Sequence, residues 1–292
     1  MNDDLIIDFT PTGMIPTKSM TRYVPVTPNE IIEDVHEAFE LGITKVHLHA
    51  RDPQTENPTY KKEYYSEIIT GIRKYAPVLV ICASLSGRTF NKFEERSEVL
   101  DLDGPLKPDM GSLTLSSLNF NKVASMNSPE MIQALAMKML KTGIVPELEA
   151  FDAGMINYAK FLLKKEMLDP PLYFNLLLGN IACAQADILY AGLMIRDLPD
   201  GSIWSLAGIG NDQLKMNSVA IAIGGGVRVG LEDNIWFDSK RTKLAQNKDL
   251  IKRIHVLAEA NERKIMSSEN FRLKLNLDSG NGKYGRLPRL DS

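Results

Sequence analysis

Eight short apolar runs, several rich in β-branched residues, are separated by amphipathic stretches, and this alternation restricts the chain to an α/β architecture. The runs are LIIDFTPTG (5–13), KVHLHA (45–50), VLVICASLS (78–86), PDMGSLTLS (108–116), PELEAF (146–151), LYFNLLLG (172–179), SIWSLAGIG (202–210) and GVRVGLED (226–233). The first intervening stretch, TPNEIIEDVHEAFELG (27–42), carries a complete set of helix signals: Thr27 at the N-cap, Pro28 behind it, Glu30 closing a capping box and Gly42 at the end. SPEMIQALAMKMLKTG (128–143) repeats the pattern from Ser128, and helices are expected near 60–75, 93–100, 155–167, 184–197 and 243–263, with DQLKMNSVAIAIGG (212–225) before the last strand. Strands and helices alternating over this length predict a single-domain (β/α)8 TIM barrel covering residues 1–277. An open doubly wound sheet of similar length is the structural alternative. The tail SGNGKYGRLPRLDS (278–292) is polar and glycine-rich, and is expected to add little to the core or to drape over a neighbouring subunit.

Hydrophobic residues make up 44% and charged residues 24% of the 292-residue chain, a balance that supports a core and argues against disorder throughout. Lys and Arg number 34 against 37 Asp and Glu, for a net charge of -3. Bulk attraction to nucleic acid or to an anionic membrane is therefore not expected, which leaves only a local basic pocket. Cys82 and Cys183 lie in apolar segments without a CxxC spacing, so no disulfide framework is expected and a reducing compartment fits. No apolar stretch reaches membrane-span length and the acidic start MNDDLIIDF lacks the basic flank of a secretory signal, so a cytoplasmic location is expected.

In a barrel of this kind chemistry gathers at the C-terminal ends of the strands. The second run ends in His47-Leu48-His49, and residues two apart on a strand share a face, so the two imidazoles can meet at one metal ion. Packed or surface histidines are the alternative reading of the same pair. His36 and His255 fall inside amphipathic helices, where a solvated role is expected. A third ligand is available in Glu232, beyond the eighth strand, which closure sets near the second; Arg228 and Asp233 share that segment, and a plain capping role remains open for the acids. The GGG run before it lacks GxGxxG spacing and a Walker lysine, which excludes a phosphate loop. On the fifth strand Glu147 and Glu149 share a face and Asp152 follows, so a carboxylate is expected inside the barrel, paired with a cation such as Arg228. Ser84 and Ser86 end the third strand and Asn119 follows the fourth, donors for a ligand or simple turn residues.

Seven motifs in order, TPTGMIPTK (10–18), HLHARDPQT (47–55), SLSGR (84–88), PDMGSLTLSSLNF (108–120), PELEAFDAGMI (146–156), WSLAGIGNDQL (204–214) and GGGVRVGLEDN (224–234), resemble the β-keto acid cleavage enzymes, typified by the 3-keto-5-aminohexanoate cleavage enzyme. The resemblance implies a zinc-dependent, homotetrameric barrel that converts a β-keto acid and acetyl-CoA into acetoacetate and a new acyl-CoA. It implies zinc held by His47, His49 and Glu232, catalysis by Arg228 and Asp233 supported by Glu149, and substrate contacts from Ser84 or Ser86 and Asn119. Where the aminohexanoate enzyme carries an acid facing the substrate amino group, this chain has Gly13-Met14-Ile15-Pro16-Thr17-Lys18. The expected substrate therefore has a neutral, apolar or anionic side group, with Lys18 a partner for the last. The rival readings are a metal-dependent lyase or hydrolase working without CoA, and a metal-binding barrel without catalysis. Nickel, cobalt or manganese would suit the same donors as zinc.

Overall fold

The computed structural model describes residues 4–287. Eight parallel strands close into a barrel: β1 (Ile7–Phe9), β2 (Lys45–Leu48), β3 (Val80–Ala83), β4 (Met110–Thr114), β7 (Val145–Ala150), β8 (Tyr173–Leu178), β9 (Ile203–Gly208) and β10 (Gly226–Val229), with β10 pairing back onto β1. The short pair β5 (Leu118–Asn119) and β6 (Ala124–Ser125) forms an antiparallel hairpin outside the barrel. The (β/α)8 expectation is met, and the open sheet is excluded.

Helices α1 (Pro28–Glu40), α2 (Lys62–Tyr75), α3 (Phe93–Ser97), α4 (Pro129–Thr142), α5 (Ala153–Lys164), α6 (Ile188–Arg196), α7 (Gln213–Ala222) and α8 (Asn247–Ala260) fill the connections, and α9 (Ser268–Lys274) follows the last of them. The capping box read at Thr27 and Glu30 is present, and Ser128 caps α4 through Met131 N. Apolar faces such as Ile31 and Val35 of α1, Ile68 and Ile72 of α2 and Leu250 and Ile254 of α8 are buried against the barrel wall. Each such side chain contributes about 1.5–3 kcal/mol by leaving water. The strands are shorter than the apolar runs, because the polar ends of the runs bend away as loops at one rim.

The underside departs from the sequence reading. α9 plugs the N-terminal mouth, with Phe271 meeting Tyr173 edge-on at 5.4 Å within an apolar cluster that includes Val80, Met110 and Leu275. Residues 278–286, expected to add little, are part of this closure: Tyr284 is only 5% exposed and donates to Pro77 O, and Gly285 N donates to Asp109 Oδ1 at 3.0 Å. Arg272 grips the same Asp109 with two hydrogen bonds of 2.9 Å, and Arg286 donates to the carbonyls of Leu275, Asp169 and Pro171. Hydrogen bonds, which no apolar period announces, hold this segment. Cys82 and Cys183 are both free thiols.

Candidate active site

Inward-facing positions of the strands carry an unusual load of charge. Asp8 of β1, Lys45 of β2 and Glu147 of β7 are all fully buried, so each must find a partner inside the barrel. Lys45 Nζ lies 2.6 Å from Asp8 Oδ1 and also contacts Glu147 Oε2, reaching across the barrel. Asn175 donates to Asp8 at 2.8 Å, and Tyr173 donates to Ser205 at 2.8 Å. This layer is the floor on which the site rests.

One turn of side chains higher, Glu147 Oε1 accepts from His47 Nδ1 at 2.6 Å, which orients the ring and leaves Nε2 facing the open end. His47 Nε2 and His49 Nε2 are 3.2 Å apart, and Glu232 Oε1 is 3.1 Å from His49 Nε2. Ligands about 2.0–2.1 Å from a tetrahedral zinc would stand about 3.3 Å from each other, so these two spacings suit one coordination sphere, and all three donors lie within 4.8 Å of one another. Glu232 Oε2 is buried without a hydrogen-bond partner among the described residues, as suits a carboxylate turned toward a cation. Burial holds His49 down at about 4, in the neutral form that ligates metals. His47 is also opposed by burial, but the carboxylates of Glu147 and Glu232 carry it up to about 9, so a cation entering there releases its proton. Burial resists ionisation of Glu232 as well, yet Arg228 and the two imidazoles keep it well below the usual carboxylate range.

A second cluster, His47, Cys82 and Glu147, is less suited to a cation. Burial pushes the Cys82 thiol well up, and Lys45 and His47 already take the Glu147 oxygens.

Two local devices hold Glu232 in place. Gly13, at φ +62, lets the loop after β1 lie directly on its side chain; a Cβ there would overlap Glu232 Cγ. Asn247 accepts from Leu231 N and donates to Pro11 O, both at 2.9 Å, pinning the two loops together. Gly13→Ala adds both the overlap and the left-handed strain of about 1–2 kcal/mol. It is expected to weaken metal binding by roughly tenfold or more, read by titrating the apo protein with zinc against a competing chelator.

Beside the donors, Arg228 is enclosed by four carboxylates: Glu232 at 2.8 Å, Asp233 at 3.0 Å, Glu149 at 3.8 Å and Glu147 at 3.9 Å. Thr114 donates to the far oxygen of Glu149 at 2.6 Å. Burial raises Asp233 to about 6 despite the pull of Arg228. Above this group opens a cavity of 730 Å³, the size of a small-ligand pocket.

The structure brings most of the sequence candidates together here. His49, Ser84, Ser86, Glu149, Arg228, Glu232 and Asp233 all border the cavity, and His47 lies under its floor. Asn119 does not join them: on the two-residue strand β5 Leu118 faces the cavity, so the Asn119 side chain points away and is exposed. Lys18 is also elsewhere, ion-paired with Glu30 at 2.7 Å. Asp152 caps α5 through Met155 N. Glu147 pairs with Lys45 and His47 and also stands 3.9 Å from Arg228, so both it and Glu149, at 3.8 Å, face the arginine. Sequence reasoning missed Lys45, Thr114 and Arg88. Lys45 is two residues before His47 and so on its face, a signal the spacing did contain.

The profile of the beta-keto acid cleavage enzyme family matches residues 4–277. The 3-oxoadipate:acetyl-CoA acetyltransferase of Cupriavidus necator is 35% identical over 96% of this chain and 97% of its own. The 3-keto-5-aminohexanoate cleavage enzyme of Fusobacterium nucleatum is 32% identical over 95% of this chain and 99% of its own. The 3-dehydrocarnitine:acetyl-CoA trimethylamine transferase of Rhizobium meliloti is 31% identical, over 95% and 98%. Among solved structures, the apo structure of ObcA shares the fold at a TM-score of 0.78 and 19% identity, over 87% of this chain and 65% of that chain, so this chain spans just under two thirds of it. With a family profile matched from the first strand through α9, and with relatives of this similarity along nearly its whole length, the chain belongs to the β-keto acid cleavage enzymes.

Proposed function

We propose that the protein transfers an acyl group between a β-keto acid and acetyl-CoA with a divalent metal, zinc by its donor set, releasing acetoacetate and a new acyl-CoA. The observation that carries this is the convergence of His47, His49 and Glu232 beside an Arg228–Asp233 pair at the floor of one cavity. When bound, the cation supplies Lewis acidity toward a ketone oxygen. The chain's own residues supply the rest. Asp233, held near 6, is a base matched to neutral pH and takes the proton from C2. Arg228 remains a cation, its carboxylates raising it further despite burial, so it orients Asp233 rather than acting as the base. Glu149, fixed by Thr114, keeps Arg228 facing that pair. Ser84 and Ser86 offer hydroxyls to substrate oxygens on the same wall. C2 then bonds to the acetyl carbonyl as the CoA thiolate leaves it, the thiolate adds to the original C3 carbonyl, and cleavage of the C2–C3 bond gives the new acyl-CoA and an acetoacetate carbanion, to which Asp233 returns the proton.

Met14 and Ile15 line the cavity where a cationic tail would need an acid, which supports a neutral, apolar or anionic side group. The names of two relatives include acetyl-CoA, in keeping with this co-substrate. The proposal includes a homotetramer in the cytoplasm; the exposed Ile188 and Leu189 on α6 support self-association, and no described helix is long and apolar enough to cross a membrane.

A panel of β-keto acids incubated with acetyl-CoA, scored for acetoacetate and for the mass of the new thioester, is expected to give both products in equal amounts. Cleavage at the same rate without any CoA ester would instead establish the lyase or hydrolase reading. Elemental analysis of protein purified without chelator is expected to find about one divalent ion per chain.

A further inference from the structure

Arg88 sits in the turn after β3, where its guanidinium carbon lies over the Phe120 ring, 3.6 Å from the centroid, in the cavity wall. Its Nε is buried without a hydrogen-bond partner among the described residues. The carboxylates that share the cavity are already committed, Glu149, Glu232 and Asp233 all facing Arg228. Burial lowers Arg88 below its ordinary value, with those three acids acting on it only through the field. A guanidinium stays charged in a protein, and a partly buried one with no carboxylate in hydrogen-bond reach among the described residues is suited to receive an anion from the cavity. Its planar fork matches a carboxylate through two parallel hydrogen bonds, and the ring beneath it restrains the guanidinium through a cation–π contact.

Which anion follows from position. The phosphates of CoA are a whole pantetheine arm from the thioester, whereas Arg88 is on the inner wall with the catalytic acids. The carboxylate next to C2 is adjacent to the reacting carbon and falls to the floor, near the imidazoles. What remains is the far end of the keto acid. We propose that Arg88 binds a second carboxylate there, and that β-keto dicarboxylates are the preferred substrate class. This rests on the reaction class given under Proposed function.

The test uses matched six-carbon β-keto acids ending in a carboxylate, a methyl or an ammonium group, assayed with acetyl-CoA on metal-loaded wild-type, Arg88→Met and Arg88→Lys protein. Wild type is expected to favour the dicarboxylate over the methyl-ended acid in kcat/KM by on the order of 10- to 100-fold. The preference should collapse in Arg88→Met and partly return in Arg88→Lys, which restores charge without the fork. Because the ratio is taken within each variant, general damage to the site cancels. A wild type without the preference overturns the proposal. So does a ratio that survives in Arg88→Met while both rates fall, since that places Arg88 on the carboxylate common to every substrate. Thermal shifts with each keto acid alone provide a second readout, the dicarboxylate raising Tm more than the methyl-ended acid in wild type only. If no keto acid is cleaved yet this difference holds, the reaction class fails and the role of Arg88 stands. Cleavage without charge preference leaves the reaction class standing and removes Arg88 from substrate selection.

Discussion

Glu232→Gln is expected to yield a folded protein that binds far less than one equivalent of metal and has lost about a thousandfold or more of its acyl-transfer rate. The side chain keeps its shape, and its neighbours Gly13 and Asn247 are untouched, so the loop after β10 retains its anchors. What changes is the donor. An anionic oxygen 3.1 Å from His49 Nε2 becomes a neutral amide, which is a poor ligand for a cation the two imidazoles alone hold weakly. A cation held there would, as a Lewis acid, lower the barrier by several kcal/mol, and each 1.36 kcal/mol is about tenfold in rate. Arg228 loses one of its four carboxylates but keeps Asp233, Glu149 and Glu147, so the local charge balance survives. Elemental analysis, the acetoacetate assay and circular dichroism on one preparation separate metal loss from unfolding. A variant with a full metal equivalent and an intact rate would remove Glu232 from the ligand set, and with it the reading of the whole site.

The strand termini were legible in the sequence because a βα rhythm states where each apolar run stops, and the rim of a barrel is where those stops gather. His47 and His49 were readable for the same reason, since period two needs no knowledge of the fold. The partners were harder. Glu147 reaches His47 and Lys45 across the barrel from three strands away, a relation that depends on closure and stagger rather than on any local pattern. Asn119 shows the reverse failure: two residues of strand carry too little alternation to reveal which of Leu118 and Asn119 faces inward. Arg88 was in view within SLSGR, but its significance lies in its Nε having no hydrogen-bond partner among the described residues, a relation that only folding creates. The underside was illegible for a different reason. The seven residues of α9 are too few to display a period, and the segment after it is fixed by Asp109, a residue some 170 positions earlier in the chain.

Lys45→Met is expected to lower both stability and metal affinity, although its side chain never reaches the cavity. The substitution removes the ammonium between Asp8 and Glu147 and leaves two carboxylates in a dry interior, where breaking a buried pair costs about 3–5 kcal/mol. For a domain of this size that corresponds to a fall in Tm of roughly 10 °C at fixed scan rate. Freed of Lys45, at least one carboxylate takes up a proton, and Glu147 is then less able to accept the hydrogen bond of His47 Nδ1. Loss of such an orienting carboxylate weakens metal binding by about 10- to 100-fold. The double variant Lys45→Met/Asp8→Asn distinguishes the two effects. Taking away the second buried charge should recover part of the Tm, whereas affinity for zinc should stay low because Glu147 still lacks the ammonium of Lys45. Equal recovery of both would mean that the floor acts only as packing. Recovery of stability alone would show that Lys45 fixes the ionisation of Glu147, and that the charge at the bottom of the barrel sets the ligand at the top.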